Sequence, residues 1–600
     1  MGILDKITSP EEIKKLNINE LNALAEELRG EIIEVISKNG GHLASNLGII
    51  ETTIALYNHF DFKSDKLIFD VGHQCYAHKI LSDRRERFSS IRTDGGISGF
   101  PDREESLYDA FGVGHAGTSI SAGLGCCYAR DIKGEDDYVI VVVGDGSLVN
   151  GLNLEAMTSS NTKPKKFIVI LNDNGMSISK NKNGFYNYIS KKTAKRGYVK
   201  SKRGFLKVFG KKSFITSVVG GVKDFLESIL KKKNYFESYG FKYVGVVDGN
   251  NLKELNNIFD DVKYLASERA VFLHIKTTKG KGHTEAEEHA DLYHGVGENL
   301  VNERGDLSLA LGNKICSLIE ENKNIIAITA GMKDGTGLKI VEEKFPDNFY
   351  DVGIAEEFAV TLSAGMAVGG VKPIVCMYST FLQRAYDQVL HDVCLQNLPV
   401  IFCIDRAGFV GKDGKTHQGV FDLSYLSHIP NLTILAPTTV DDLSKCLDYA
   451  LLLNSPCAIR YPKNALEERQ TENLTTSLWE RVKVGNKVSL LAVGPRMLDL
   501  AKKVSDSNSD IGVISARSIK PLDEKILNEI KDTFIITLEE NSLIGGFGSL
   551  VQNYYLDKNI AVKIKCMGIK DEFINHGSVA IQLKQNGFTR ENLLDIIEKG

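Results

Sequence analysis

Short runs of β-branched and other apolar residues alternate with helical segments along this chain, and that alternation constrains its fold more than any other feature. The runs are Tyr138–Val143, Phe167–Leu171, Val271–Ile275, Ile325–Thr329, Pro373–Met377, Val400–Ile404, Val488–Val493, Gly512–Ile514 and Phe534–Leu538. A strand with one wet face alternates apolar and polar residues, whereas a near-continuous apolar run must be covered on both faces. Strands separated by helices pair in parallel, because the crossover needs a helix's length of chain. The expectation is an α/β fold with three α/β domains and mainly parallel sheets. The 600 residues are ample at ~100–200 per domain. Polar, Gly-containing Glu285–Arg304 reads as the first crossing between domains and Thr471–Lys483 as the second. The expected domains are therefore 1–300, 305–475 and 480–600.

At the N-terminal end, Ser9-Pro10-Glu11-Glu12 has the form of a capping box with Pro in the first turn. Leu21, Leu24, Leu28, Ile32 and Val35 then recur at helical spacing until Gly40-Gly41. Met1–Pro10 has no apolar signal core, and the longest aliphatic run, Val139–Val143, is far short of a membrane span. With 73 Lys+Arg against 77 Asp+Glu, no global basic field draws nucleic acid. A cytoplasmic protein with no membrane and no nucleic-acid partner is expected. Ten scattered cysteines without a CxxC pair read as reduced, buried thiols. Lys191–Lys212 holds ten Lys/Arg and no acid, and reads as a solvated surface segment.

Two motifs carry the strongest chemical signal. Gly144-Asp145-Gly146 follows one predicted strand and Asn172-Asp173-Asn174 the next. Open α/β sheets place ligands at the C-terminal ends of strands. Glycines there admit a diphosphate close to the backbone. Asp145 and Asn174 offer hard oxygen ligands to a divalent metal that shares phosphate oxygens. Gly112-Val113-Gly114-His115-Ala116-Gly117 fits GxGxxG, but a poor strand, Ser106–Phe111, precedes it. It reads better as a turn opening a helix over Thr118–Arg130, whose free N–H groups can still meet a phosphate. His42, His73, His78, His115 and His417 sit in or beside Gly-rich turns, where they could donate to a phosphate or a reacting oxygen. No HExxH or Cys/His spacing for zinc occurs.

Further on, Glu356 stands between a short strand, Tyr350–Val352, and an apolar helix, Phe358–Val368. It is either a helix-terminal acid or a buried catalytic one. Arg406 and Arg460 each follow an apolar run and could point from one sheet edge into a shared cleft.

Taken in order, GGHLASNLG (40–48), DVGHQCYAHKI (70–80), GDG (144–146), NDNGMSIS (172–179), VDG (247–249), TKGKGH (278–283), YSTFLQRAYDQVLHDV (378–393), IDRAGFVGKDGKTHQGVFDLSYL (404–426), RYP (460–462) and EENSLIGGFGS (539–549) resemble the transketolase-like thiamine diphosphate enzymes. The strings 404–426 lean towards members that decarboxylate pyruvate and join the two-carbon unit to D-glyceraldehyde 3-phosphate. The resemblance implies a diphosphate-binding, a pyrimidine-binding and a C-terminal domain, thiamine diphosphate and Mg²⁺ as cofactors, and a homodimer. It implies that Asp145, Asn174 and the Met176 carbonyl hold Mg²⁺. His73, Gly114, His115, Ala116, Gly146, Ser147, Asn174, Lys279 and His283 would meet the cofactor, Phe381 would stack on its aminopyrimidine, and Glu356 would hydrogen-bond the pyrimidine ring nitrogen. His42, His73 and His417 would face the reacting carbons. Tyr378, Arg406, Asp413, His417 and Arg460 would bind the acceptor, with the two arginines on its phosphate.

The chain departs from the family pattern at three places. Glu356-Glu357-Phe358 replaces Glu-Gln-His, Gly114-His115-Ala116-Gly117 replaces GHSS and so removes hydroxyl donors near the diphosphate, and His283 stands where an aromatic residue is usual. Transketolase itself and a 2-oxo-acid dehydrogenase decarboxylase share the metal and glutamate motifs. A scaffold protein without chemistry is the reading from outside enzymes.

Overall fold

Alternate residues of the central strands enter opposite cores, as the continuous apolar runs predict. Ile140 and Val142 pack on one face of their sheet, and Val139, Val141 and Val143 on the other. Phe402 and Ile404 are divided from Ile401 and Cys403 in the same way. The computed structural model describes residues 2–159, 162–175, 235–301, 305–464, 467–506 and 508–600. It falls into two compact units, Met1–Ile91 with Ile97–Asn302, and Arg92–Gly96 with Glu303–Gly600. Met176 and Lys191–Lys212 lie outside the described residues.

The first unit is built on a five-stranded parallel sheet. Its order is Lys66–Phe69, Val139–Gly144, Phe167–Asp173, Val271–Lys276, Lys242–Asp248. The N-terminal helix differs from the sequence expectation. The Ser9–Glu12 box heads only a short 3₁₀ turn, Pro10–Lys15. A second capping box, Asn17 with Glu20, starts the long helix Ile18–Asn39. The helix after the glycine-rich turn runs Ser119–Lys133, and no strand precedes that turn. Glu285–Arg304 is more than a crossing, because it carries the helix Thr284–Glu288 and pairs Val296 with Gly41.

The second unit holds two sheets. The seven-stranded one runs Ser518–Lys520, Thr433–Leu435, Cys457–Arg460, Ile401–Asp405, Lys372–Tyr378, Ile325–Thr329, Phe349–Asp351. It is parallel except at Ser518–Lys520. The five-stranded one runs Glu480–Lys483, Ile511–Ser515, Val488–Ala492, Phe534–Ser542, Lys563–Ile569, with an antiparallel first pair. One apolar core joins both sheets, from Val375 and Ile404 to Leu491 and Phe547. Trp479 lies within it, and its indole N–H donates to Ser518 O at 2.6 Å. The expected crossing Thr471–Lys483 is thus a fastened segment with a buried anchor and an edge strand. All ten cysteines are free and most are buried. Among the described residues, no helix is long and apolar enough to cross a membrane.

Candidate active site

The register of the first sheet sets Gly144 opposite Asn172 on neighbouring parallel strands, so Asp145 and Asn174 leave the same sheet edge side by side. Asp145 is buried and opens the short helical turn Asp145–Leu148. Its Oδ1 accepts from the Gly146 N–H at 2.9 Å, while its Oδ2 is buried without a hydrogen bond among the described residues. Burial, and then the charge of Asp173, push the Asp145 carboxyl up to about 7, against the pull of Lys279. Lys279 is itself buried and pushed down to about 8 by that burial, with Asp145 opposing. A buried acid with one vacant oxygen is a donor that a hard cation would satisfy. Among the described residues no group of three or more His, Cys, Asp or Glu could hold a metal.

The central acid of the second motif has another task. Asp173 Oδ2 pairs with His274 Nε2 at 2.9 Å, and His274 Nδ1 with the Tyr243 hydroxyl at 2.9 Å. Thr277 Oγ1 donates to Asn172 Oδ1 at 2.6 Å. These bonds fix the Asn172-Asp173-Asn174 turn from behind.

Three histidines meet in the same unit. The His42 and His73 rings lie 5.5 Å apart, and His294 lies 5.6 Å from the first and 5.2 Å from the second. Asn46 staples the two loops, its Nδ2 donating to His42 O at 2.6 Å and His73 O at 2.7 Å. Burial, with Lys279 and the other histidines nearby, holds His294 well below the usual imidazole range. Sequence reasoning missed His294, since it lies in the stretch read as a crossing. Its only signal was a His flanked by Tyr293 and Gly295. His78 is elsewhere, sealed between Tyr57 at 2.8 Å and Asp109 at 2.9 Å. The 112–117 turn is pinned by Asp70, which accepts from the Gly117 N–H at 2.8 Å and the Ser119 hydroxyl at 2.6 Å. That places Gly114, His115 and Ala116 on a fixed backbone. Ser147 is buried in the Asp145–Leu148 turn. His283 caps the helix Thr284–Glu288, accepting from the Ala286 N–H at 3.3 Å, with Tyr293 beside its ring.

The second unit carries its own cluster. Glu356 opens the helix Glu356–Val368 and is buried. Burial pushes its carboxyl up to about 7, against the pull of Arg384, whose Nη1 lies 3.4 Å from Oε2. Phe381 lies 5.9 Å from the Tyr378 ring and meets His417 edge-on at 5.5 Å. Arg406, in left-handed backbone with φ 58°, lays its guanidinium 3.9 Å over Tyr378. That guanidinium makes no ion pair among the described residues, and its Nε is buried without a hydrogen bond.

Arg460 differs. Its Nε and Nη2 each reach Asp422 at 3.1 Å, and both residues are buried. The two arginines are therefore not the matched pair that their sequence positions suggested. Asp413 forms an ion pair with Arg92, a residue the sequence reading did not single out. Thr416 Oγ1 meets His417 Nδ1 at 2.7 Å.

Family models for the transketolase pyrimidine-binding domain and the transketolase C-terminal domain match residues 305–469 and 478–593. With three mainly parallel sheets, the chain takes its place among the transketolase-type thiamine diphosphate transferases. The model described as 1-deoxy-D-xylulose-5-phosphate synthase matches residues 4–277. Synthases of that name from Clostridium tetani and Carboxydothermus hydrogenoformans are 47% and 46% identical, the first covering 100% of both chains and the second 98% of both. The chain belongs to the 1-deoxy-D-xylulose-5-phosphate synthase family. Among solved structures, the transketolase of Campylobacter jejuni matches at 17% identity with a TM-score of 0.43, covering 98% of this chain and 100% of that one, a likeness too slight to add to the argument.

Proposed function

We propose that this chain converts pyruvate and D-glyceraldehyde 3-phosphate to 1-deoxy-D-xylulose 5-phosphate and CO₂. The observation that carries the reading is the buried Asp145 carboxylate, whose Oδ2 has no hydrogen bond among the described residues, at a strand end paired in register with Asn172. It sits in a chain 47% identical over its whole length to a relative named for this reaction. Bound thiamine diphosphate supplies the electron sink for loss of CO₂ and the carbon nucleophile for the aldehyde. Asp145 and Asn174 would hold Mg²⁺ with the Met176 carbonyl, and the metal would offset a diphosphate that otherwise repels the carboxylate.

The other assignments follow from chemistry and placement. Lys279, Ser147 and the backbone at Gly114, His115, Ala116 and Gly146 would meet the diphosphate. Phe381 would take the aminopyrimidine face, and Glu356 would share a proton with its ring nitrogen, a role suited to a buried acid poised about 7. His42, His73, His294 and His417 would hand protons to and from carbonyl oxygens. Arg406, held over Tyr378 with no ion pair among the described residues, is the better suited arginine for the acceptor phosphate. Arg460 would have only its Nη1 left for that phosphate, since Asp422 takes its Nε and Nη2.

The domain limits 1–300, 305–475 and 480–600 are proposed on the three sheets. A homodimer is supported by exposed Phe358 and Val368 on the helix Glu356–Val368 and by exposed Leu395 just after the helix Gln388–Cys394 that packs on it. A cytoplasmic location rests on the family and on free cysteines. The test is incubation with pyruvate, with and without glyceraldehyde 3-phosphate, following CO₂ and the ketose phosphate. Formation of the five-carbon product only with both substrates supports the reading. Acceptor-independent CO₂ release without sugar product overturns it.

A further inference from the structure

In the first unit, position 117 has no side chain, and another residue stands where one would be. Gly117 has φ +88°, and a Cβ placed on it would overlap Asn150 Oδ1 and lie 2.6 Å from Asn150 Cγ. Asn150 is fully buried and cannot swing aside freely. Its Oδ1 caps the helix Gly151–Thr158 by accepting from the Leu152 N–H at 3.2 Å, and its own N–H donates to Ser147 O at 3.1 Å.

The two residues belong to the two turns that flank the proposed diphosphate site. Gly117 ends the 112–117 turn, and Asn150 follows the Asp145–Leu148 turn. Asn153, one helical turn on, donates to Asp70 Oδ2 at 3.2 Å and to Ser147 O at 2.9 Å, while Asp70 accepts from the Gly117 N–H. The turns are thus tied through Asp70 and touch directly at Gly117 and Asn150.

We propose that Asn150 stands in for the side chain that Gly117 lacks, so that the two residues form one exchangeable unit spacing the turns that hold the diphosphate. Asn150 is then a positioning residue, and the proposal rests on the cofactor reading above. Close packing makes the two occupants mutually exclusive. A side chain at 117 and the amide at 150 overfill the same volume, and removing both leaves it empty. The departure at 117, read from sequence as a loss near the diphosphate, is filled from a residue 33 positions away in the chain.

A double-mutant cycle of Gly117→Ser and Asn150→Ala tests this, read by calorimetric titration with thiamine diphosphate and Mg²⁺ and by thermal unfolding of the cofactor-free protein. Gly117→Ser alone should weaken cofactor binding by roughly tenfold or more, and Asn150→Ala alone by several-fold. The double variant should bind roughly tenfold more tightly than Gly117→Ser, a coupling within the range that contacting residues show. Recovery should stop short of wild type, because the left-handed backbone at 117 still strains a serine. The cofactor KM should move more than kcat at saturating cofactor. If Gly117→Ser does not fold, folding of the double variant supports the coupling and its failure to fold overturns it. Strictly additive losses in affinity also overturn it. A wild-type protein that binds no thiamine diphosphate overturns the cofactor reading instead, and the unfolding cycle still reports whether 117 and 150 exchange.

Discussion

Arg384 Nη1 lies 3.4 Å from Glu356 Oε2, with Glu356 buried and Arg384 nearly so. Two opposed forces meet at this carboxyl. Burial favours the neutral acid and dominates, while the guanidinium favours the anion. Glu357, the next residue, adds to the upward push. The balance sets the acid near the pH at which it can both hold and yield a proton.

That balance makes a stability prediction for the cofactor-free protein. The folded value, about 7, lies above the ordinary 4.5. The contribution of Glu356 is therefore fully present below pH ~4.5 and is lost as pH rises towards and through ~7. At ~1.4 kcal/mol per pH unit, the span from 4.5 to about 7, about 2.5 pH units, makes the loss roughly 3–4 kcal/mol. Glu356→Gln should remove it, so the variant should be more stable than wild type at pH 8 and close to it at pH 4.5. Urea unfolding at the two pH values measures this. Arg384→Met should carry the loss to higher pH.

Glu356→Ala should retain cofactor affinity while kcat falls ~10²–10⁴-fold, the usual share of a general acid–base partner. Proton exchange at the thiazolium carbon, followed by NMR, should slow in parallel. Exchange at the wild-type rate would reduce Glu356 to a helix-terminal charge.

At the metal site, Asp145→Ala should remove the Mg²⁺ dependence of thiamine diphosphate binding. Groups one step behind a metal ligand already contribute ~10–100-fold in affinity, so a direct ligand should contribute at least that. Titration calorimetry with and without Mg²⁺ checks it, and an unchanged affinity would contradict the assignment.

The arginines should separate. Arg406→Ala should lower kcat/KM for glyceraldehyde 3-phosphate by ~10–10²-fold, for a charge-assisted contact of roughly 1.5–3 kcal/mol. It should change little with unphosphorylated glyceraldehyde and leave thermal stability intact. Arg460→Ala leaves buried Asp422 without its partner and should cost roughly 3–5 kcal/mol of stability. Steady-state kinetics beside thermal unfolding distinguish the two outcomes.

Trp479, the single tryptophan, reports on the second unit. Its buried indole should emit at short wavelength and shift red on unfolding. Trp479→Ala should cost about 3–5 kcal/mol, read by denaturant titration with circular dichroism.

The apolar runs determined by themselves where the main strands lie. Val139–Gly144, Phe167–Asp173 and Ile401–Asp405 sit within a residue or two of their expected positions, because continuous burial leaves a local mark in residue type. The strand-end Asp145 and Asn174 and the helix-leading Glu356 were equally legible, since each follows directly from the element before it. Short strands were legible only in part: Phe349–Asp351 lies one residue from its expected place, whereas Lys66–Phe69 and Ser518–Lys520 were not read, because so short a segment becomes a strand only when a neighbour supplies its hydrogen bonds. Tertiary structure alone decided that Ser518–Lys520 pairs with Thr433–Leu435, that His294 stands against His42 and His73, and that Arg92 meets Asp413. It also decided that Arg460 is bound to Asp422 while Arg406 is left over Tyr378. The physical reason is common to all of them: local sequence sets backbone preference and burial, whereas the partner of a charge, a ring or an edge strand is fixed by which distant segments the packed core brings together.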